Sequence, residues 1–162
     1  MIARLSKSPY CESVRIETFN SFCEKILKEH NDLIYEKDVK VISYSQKVKL
    51  FNAALRENNI HANDALSGYF SFAQRAGRTS EELLLMLMND CCSILELYKS
   101  NNKNIDTLLE EAKILDAKNS NNLRMVYRIC KYMDLSMKKL GLRDYTDQLI
   151  HCINFFKQNP KL

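Results

Sequence analysis

The stretch Val14-Arg15-Ile16-Glu17-Thr18-Phe19-Asn20-Ser21-Phe22-Cys23-Glu24-Lys25-Ile26-Leu27-Lys28-Glu29-His30 changes its hydrophobic period partway along, and that change decides the fold class. Val14 and Ile16 face one way, Arg15 and Glu17 the other, which is the alternation of a half-buried strand. From Phe19 on, Phe19, Phe22, Cys23, Ile26 and Leu27 recur at helical spacing and predict one apolar face of an amphipathic helix. Thr18 sits at the corner, where its hydroxyl can cap the helix. The backbone N–H groups of the first turn then point outward, a geometry that suits anions such as phosphate.

Working outward, the remaining chain predicts mainly α structure, a multi-helix subdomain with one or two short strands near its N-terminus. At 162 residues and 46% hydrophobic content it suffices for one core, so residues 1–162 are expected to form a single helical domain. Three Gly and two Pro leave few sites at which helices must stop. Ile2 and Leu5 suggest the tail of a helix that begins earlier, closed by Pro9, as in a piece of a longer chain. Val39 to Ile42 is a second short apolar run, and Ser43 with Gln46 forms a capping box for a helix through Val48, Phe51 and Leu55. A helix from Asn63 or Asp64 to Ala76 is expected to stop at Gly77. Thr79 or Ser80 caps a long apolar helix, Glu81 to Tyr98, placed centrally in the core. A weaker helix spans Ile105 to Ala117, and the Asn-rich Asn119 to Asn122 is expected to separate it from a helix ending at Gly141. Asp144 then caps a last helix with Leu149, Ile150, Ile153 and Phe156 inward.

Composition excludes several functions. The net charge of +4 permits nucleic-acid binding without establishing it, because acids and bases alternate along the chain. None of the six cysteines forms a C-x-x-C pair, so metal ligation and catalytic redox chemistry have no support, and buried free thiols in a reducing cytoplasm are expected. The longest apolar run, Leu83 to Met88, is too short to span a bilayer, so no membrane partner is expected. No G-x-x-x-x-G-K-[ST] phosphate loop occurs. Glu81-Glu82 and Glu110-Glu111 are adjacent on helices, about 100° apart, and make poor joint magnesium ligands. His30, His61 and His151 have no nucleophile partner in the wording around them, so no catalytic residue is assigned.

Two phrases carry a resemblance. Thr18-Phe19-Asn20-Ser21, following a short strand, resembles the Thr-Phe-His-Ser segment of UvrD/Rep-type superfamily 1 DNA helicases. Gly141-Leu142-Arg143-Asp144-Tyr145-Thr146-Asp147-Gln148-Leu149 resembles the Gly-Leu-x-Asp-Phe-x-x-Leu-Leu phrase that precedes their Walker B strand, with Leu142, Asp144, Tyr145 and Leu149 matching. Thr18, Phe19 and Ser21 match the first segment, while Asn20 replaces the usual His, so a role needing imidazole is not carried over.

The resemblance implies a piece of an ATP-dependent helicase or helicase-nuclease, the helical 1B subdomain inserted into the first motor domain. Residues 14–30 would form a strand-to-helix DNA-contact segment, and residues 141–157 a terminal helix leading to the Walker B strand. It implies DNA, single-stranded or duplex and weakly held, as one partner and the remainder of the motor as another. Thr18, Phe19, Asn20 and Ser21 would contact DNA, with Arg15 and Lys25 adding charge. Arg75, Arg78, Lys138, Lys139 and Arg143 are further candidates for that surface. ATP and Mg2+ belong to the parent enzyme; no cofactor or metal is assigned to this piece, which lacks the parts for hydrolysis. Phe19, Phe22, Tyr145 and Leu149 are expected to show apolar surface toward the absent motor. The alternative is a free-standing all-helical protein-interaction module, in which those side chains would be buried.

Overall fold

A computed structural model describes residues 17–161. The strand expected at Val14 to Ile16, the candidate contact Arg15, the early helix tail and Cys11 lie outside the described residues. Among the described residues the chain forms helices joined by short connections and one two-stranded parallel sheet.

Each long helix begins where a side chain satisfies the free N–H groups of its first turn. Thr18 caps α1 (Phe19–Glu29), its hydroxyl accepting from the Ser21 N–H at 3.2 Å. The one-turn α2 (Asn31–Ile34) follows, then β1 (Lys40–Val41). Reciprocal capping boxes start α3 (Tyr44–Glu57) at Ser43 and Gln46, and α6 (Ser80–Ser100) at Thr79 and Glu82. Between them run α4 (Ala62–Tyr69) and α5 (Phe72–Arg75). After α7 (Thr107–Ala112), Asp116 caps α8 (Ala117–Leu140). Strand β2 (Leu142–Arg143) pairs with β1 in the register Lys40 to Leu142 and Val41 to Arg143, and α9 (Tyr145–Gln158) starts on the Asp144 and Asp147 box.

Three expected boundaries move. The helix expected to run to Ala76 breaks at Phe70, which is extended and buried, and Ser71 with Gln74 restarts it as α5. A capping box needs a non-helical residue at the cap, so the same Ser-x-x-Gln that begins α5 ends α4. Asn119 to Asn122 do not form a separating loop. They lie in the first turns of α8, where Asn119 bonds to Asp116 and Asn122 donates to the Gly68 carbonyl at 2.9 Å. The helix expected over Ile105 to Ala117 shrinks correspondingly to α7.

The buried side chains fall into two clusters. The larger joins α3, α4, α6, α7 and α8 around Phe51, Leu87, Met88, Ile129 and Met133. The smaller joins α1 to α9 through Cys23, Leu27 and Cys152, with Phe22, Ile26, Leu149 and Phe156 packed around them. Of the described cysteines, Cys23, Cys91, Cys130 and Cys152 are buried and all five are free. Gly141 closes α8 in the left-handed conformation at φ 66° as expected, and a Cβ there would stand 2.7 Å from the Asp38 carbonyl oxygen. Its lack of a side chain lets the β1 approach pass close beneath it. The helices and short strands agree with a mainly α fold.

Candidate nucleic-acid interface

Helices α1 and α9 lie side by side with their N-terminal turns together. The Gln148 amide donates to the Asn20 carbonyl at 2.5 Å, Cys23 and Cys152 share the small core, and the His30 ring stacks on Phe155 with centroids 4.7 Å apart. Thr18, Asn20, Ser21, Glu24, Val41, Tyr145 and Gln148 line one cleft of about 360 Å³ between the two helix starts. The two phrases singled out in the sequence, more than a hundred residues apart, therefore meet in one place.

Electrostatics distinguish the two starts. The first turn of α1 carries no acidic residue; the Thr18 hydroxyl accepts from the Ser21 N–H and bonds to the Ser21 hydroxyl at 2.8 Å, and no carboxylate within that turn offsets the partial positive charge of its outward N–H groups. The start of α9 is already neutralised by Asp144 and Asp147. Both carboxylates accept from the Lys99 ammonium at 2.8 Å, and Asp134 stands 3.6 Å from the same nitrogen. Burial alone would raise the Asp144 pKa, but the charge and hydrogen bond of Lys99 outweigh it and hold the carboxyl below its ordinary range. Burial likewise works against the Lys99 ammonium, and Asp144 and Asp147 reverse the effect, so its pKa is raised.

Two aromatic rings stand free beside the cleft's helix starts: Phe19 is 64% exposed and Tyr145 58%. Phe19, placed by its spacing on the apolar face of α1, was expected to show apolar surface, and it does. It lies one position past the cap and stacks on Phe22 with ring centroids 6.4 Å apart. Phe22 and Leu149 are half-buried against the small core, so of the four side chains expected on an unpartnered surface, Phe19 and Tyr145 are the exposed ones. The face of α9 also differs from expectation. Gln148, Cys152 and Phe155 point inward at i, i+4 and i+7, which turns Ile153 outward to 47% exposure.

Asn20 and Ser21 are exposed at the cleft and Lys25 is half-buried one turn on. Arg143, expected on a surface, is instead 1% exposed. It donates to Glu24 at 2.6 Å and to the Tyr35 hydroxyl at 3.0 Å, because its strand position turns it under α1. Burial would raise the Glu24 pKa, but hydrogen bonds from Arg143 and Lys28 outweigh it and hold the carboxyl below its ordinary value. The Tyr35 hydroxyl bonds in turn to His151 Nδ1 at 2.8 Å, and burial lowers the His151 pKa. Arg75, Arg78, Lys138 and Lys139 do not line the cleft; Lys138 pairs with Asp134 at 2.6 Å.

Sequence reasoning passed over Gln148, Glu24 and Lys99. For Gln148 a signal existed: it is a polar residue in phase with Cys152 and Phe155, and a polar group on an inward phase must find a partner. Among the described residues no group of His, Cys, Asp and Glu has the geometry to hold a metal ion, and no helix is long and apolar enough to cross a membrane.

No curated protein and no solved structure matches the chain. A family model described as the UvrD/REP helicase N-terminal domain matches residues 1–162. The union of both helicase-like phrases in one cleft agrees with that match over the full length, and the chain belongs to the UvrD/REP helicase N-terminal domain family.

Proposed function

We propose that this chain is the 1B-like helical part of the first motor domain of an ATP-dependent superfamily 1 DNA helicase, and that it holds single-stranded DNA across the α1 and α9 starts. The observation that carries the reading is the cleft itself, where a helix N-terminus with no acidic residue in its first turn lies beside two exposed aromatic rings. A strand phosphate accepts from the first-turn N–H groups of α1 and from the Thr18 and Ser21 hydroxyls. Phe19 and Tyr145 offer ring faces on which bases stack without regard to sequence. Asn20 borders the path, and Arg15 and Lys25 add charge that draws the strand in without reading it. ATP, Mg2+ and hydrolysis belong to the remainder of the motor, which packs against this piece in a cytoplasmic enzyme of DNA repair.

The test is fluorescence anisotropy with a labelled oligothymidylate at low salt. Thr18→Ala and Phe19→Ala should each weaken binding, Phe19→Ala by roughly 5- to 100-fold if one base stacks on it. Affinity should be weak and fall as salt rises with a shallow log–log slope, about −0.7 per phosphate engaged, since few phosphates are engaged and counterion release drives the association. Binding indifferent to both substitutions would overturn the reading.

A further inference from the structure

The cleft proposed to hold a strand contains one carboxylate among its lining residues, that of Glu24. Glu24 lies five positions after Phe19, the first residue of α1, so it stands about 8 Å along the axis from the start of the helix. An unpaired carboxylate at that distance would oppose a phosphate bound there. The structure answers this from beneath. The Arg143 guanidinium is fully buried, bonds Glu24 Oε2 at 2.6 Å, and has no exposed surface with which to touch a ligand. Lys28, the other partner of Glu24 at 3.2 Å, is largely solvated and screened, so Arg143 supplies the durable counter-charge. The same device operates next door, where buried Lys99 holds Asp144 and Asp147 at the start of α9.

We infer that Arg143 is a positioning residue for strand binding: it pairs with Glu24 from inside the fold, keeping the one carboxylate of the cleft from repelling a phosphate at the α1 N-terminus. The inference rests on the proposed DNA-binding role and assigns that site a buried electrostatic control. It also explains why a position directly before the Asp144 cap carries a charged residue inside a core.

The experiment measures oligothymidylate affinity of the 162-residue chain, at low ionic strength, for wild type, Thr18→Ala, Arg143→Gln, Glu24→Gln and the double variant. Thermal melts run in parallel and show which variants are folded. Arg143→Gln should bind about two- to thirtyfold more weakly, the span expected for one charge at that distance in water or near a protein surface. Glu24→Gln, which keeps an acceptor for Arg143, should bind more tightly by a similar factor. The double variant should return to the wild-type value, and the differences should shrink as salt rises. A purely structural role would instead track the melting temperature and leave the double variant weak. If Arg143→Gln fails to fold, Glu24→Gln alone decides, and unchanged affinity in that variant overturns the inference. Wild-type binding that Thr18→Ala weakens but the Glu24 and Arg143 variants leave unmoved would sink this inference and spare the DNA-binding reading. Wild-type chain that fails to bind, or binds indifferently to Thr18→Ala, would sink both.

Discussion

Replacing Lys99 with Met should destabilise the chain by about 3 kcal/mol at neutral pH, the lower end of the range for removing one partner of a buried ion cluster. The Lys99 side chain is 14% exposed, and it faces Asp134, Asp144 and Asp147 at 12%, 8% and 18%. Each 2.8 Å contact would contribute on the order of 6 kcal/mol at an effective dielectric of 20, and desolvation of the ions cancels most of that. What Met leaves behind is three carboxylates with little water. Two compensations keep the loss near the lower end. Lys138 still pairs with Asp134, and the N–H groups of the α9 first turn still bond the Asp144 box. For a chain of this size about 3 kcal/mol corresponds to roughly 6–12 °C in melting temperature.

The pH dependence carries a sign. The folded pKa of Asp144 is depressed, so the unfolded chain binds its proton first as pH falls. The stability it confers is complete above the ordinary Asp pKa of about 3.9 and is lost as pH drops through the lower folded value. The raised Lys99 pKa acts at the alkaline end, present below about 10.4 and lost as pH rises through the folded value. In Lys99→Met the buried Asp144 loses its counter-charge and protonates more readily, so the gap to wild type should narrow as pH is lowered from 7 to 4. Urea unfolding followed by circular dichroism at several pH values measures both. A loss under about 1 kcal/mol at pH 7, or a gap that widens in acid, would refute the reasoning.

Gly141→Ala should cost about 2 kcal/mol or more in urea unfolding, because φ is 66° and the new methyl meets the Asp38 carbonyl at 2.7 Å. Gly77→Ala, at φ 73° with nothing within 4 Å, should cost only the conformational part, about 1 kcal/mol. Thr18→Ala should lower stability by about 1 kcal/mol through loss of the α1 cap, seen in the same titration. Stability should also decline as pH falls below about 6.5, since the His151 pKa is depressed and the unfolded chain takes up that proton first. Asp147 and Asp144 face the ring favourably and Arg143 and Lys99 unfavourably, with the Tyr35 hydroxyl hydrogen-bonded to Nδ1. His151→Gln should remove that part of the pH profile.

What the sequence by itself determined is what short range decides. The caps at Thr18, Ser43, Thr79 and Asp144 and the left-handed stop at Gly141 were all legible, because a cap bonds to an N–H two or three residues away and a glycine stop needs only its own φ. The amphipathic spacing of the long helices was legible for the same reason, and with it the mainly α class and the two phrases that mark the family. Tertiary structure alone decided which polar groups sit inside. Arg143 reads as a surface charge until it is seen paired with Glu24 of α1, 119 positions away. Gln148 acquires its role only from the Asn20 carbonyl 128 positions away, and Lys99 only when Asp144 and Asp147 fold onto it. The break at Phe70 and the absorption of Asn119 to Asn122 into α8 likewise follow from burial and from the Gly68 carbonyl. Periodicity specifies which face of a helix is apolar; where the partner of a buried charge lies is a property of packing, and packing is absent from any local window.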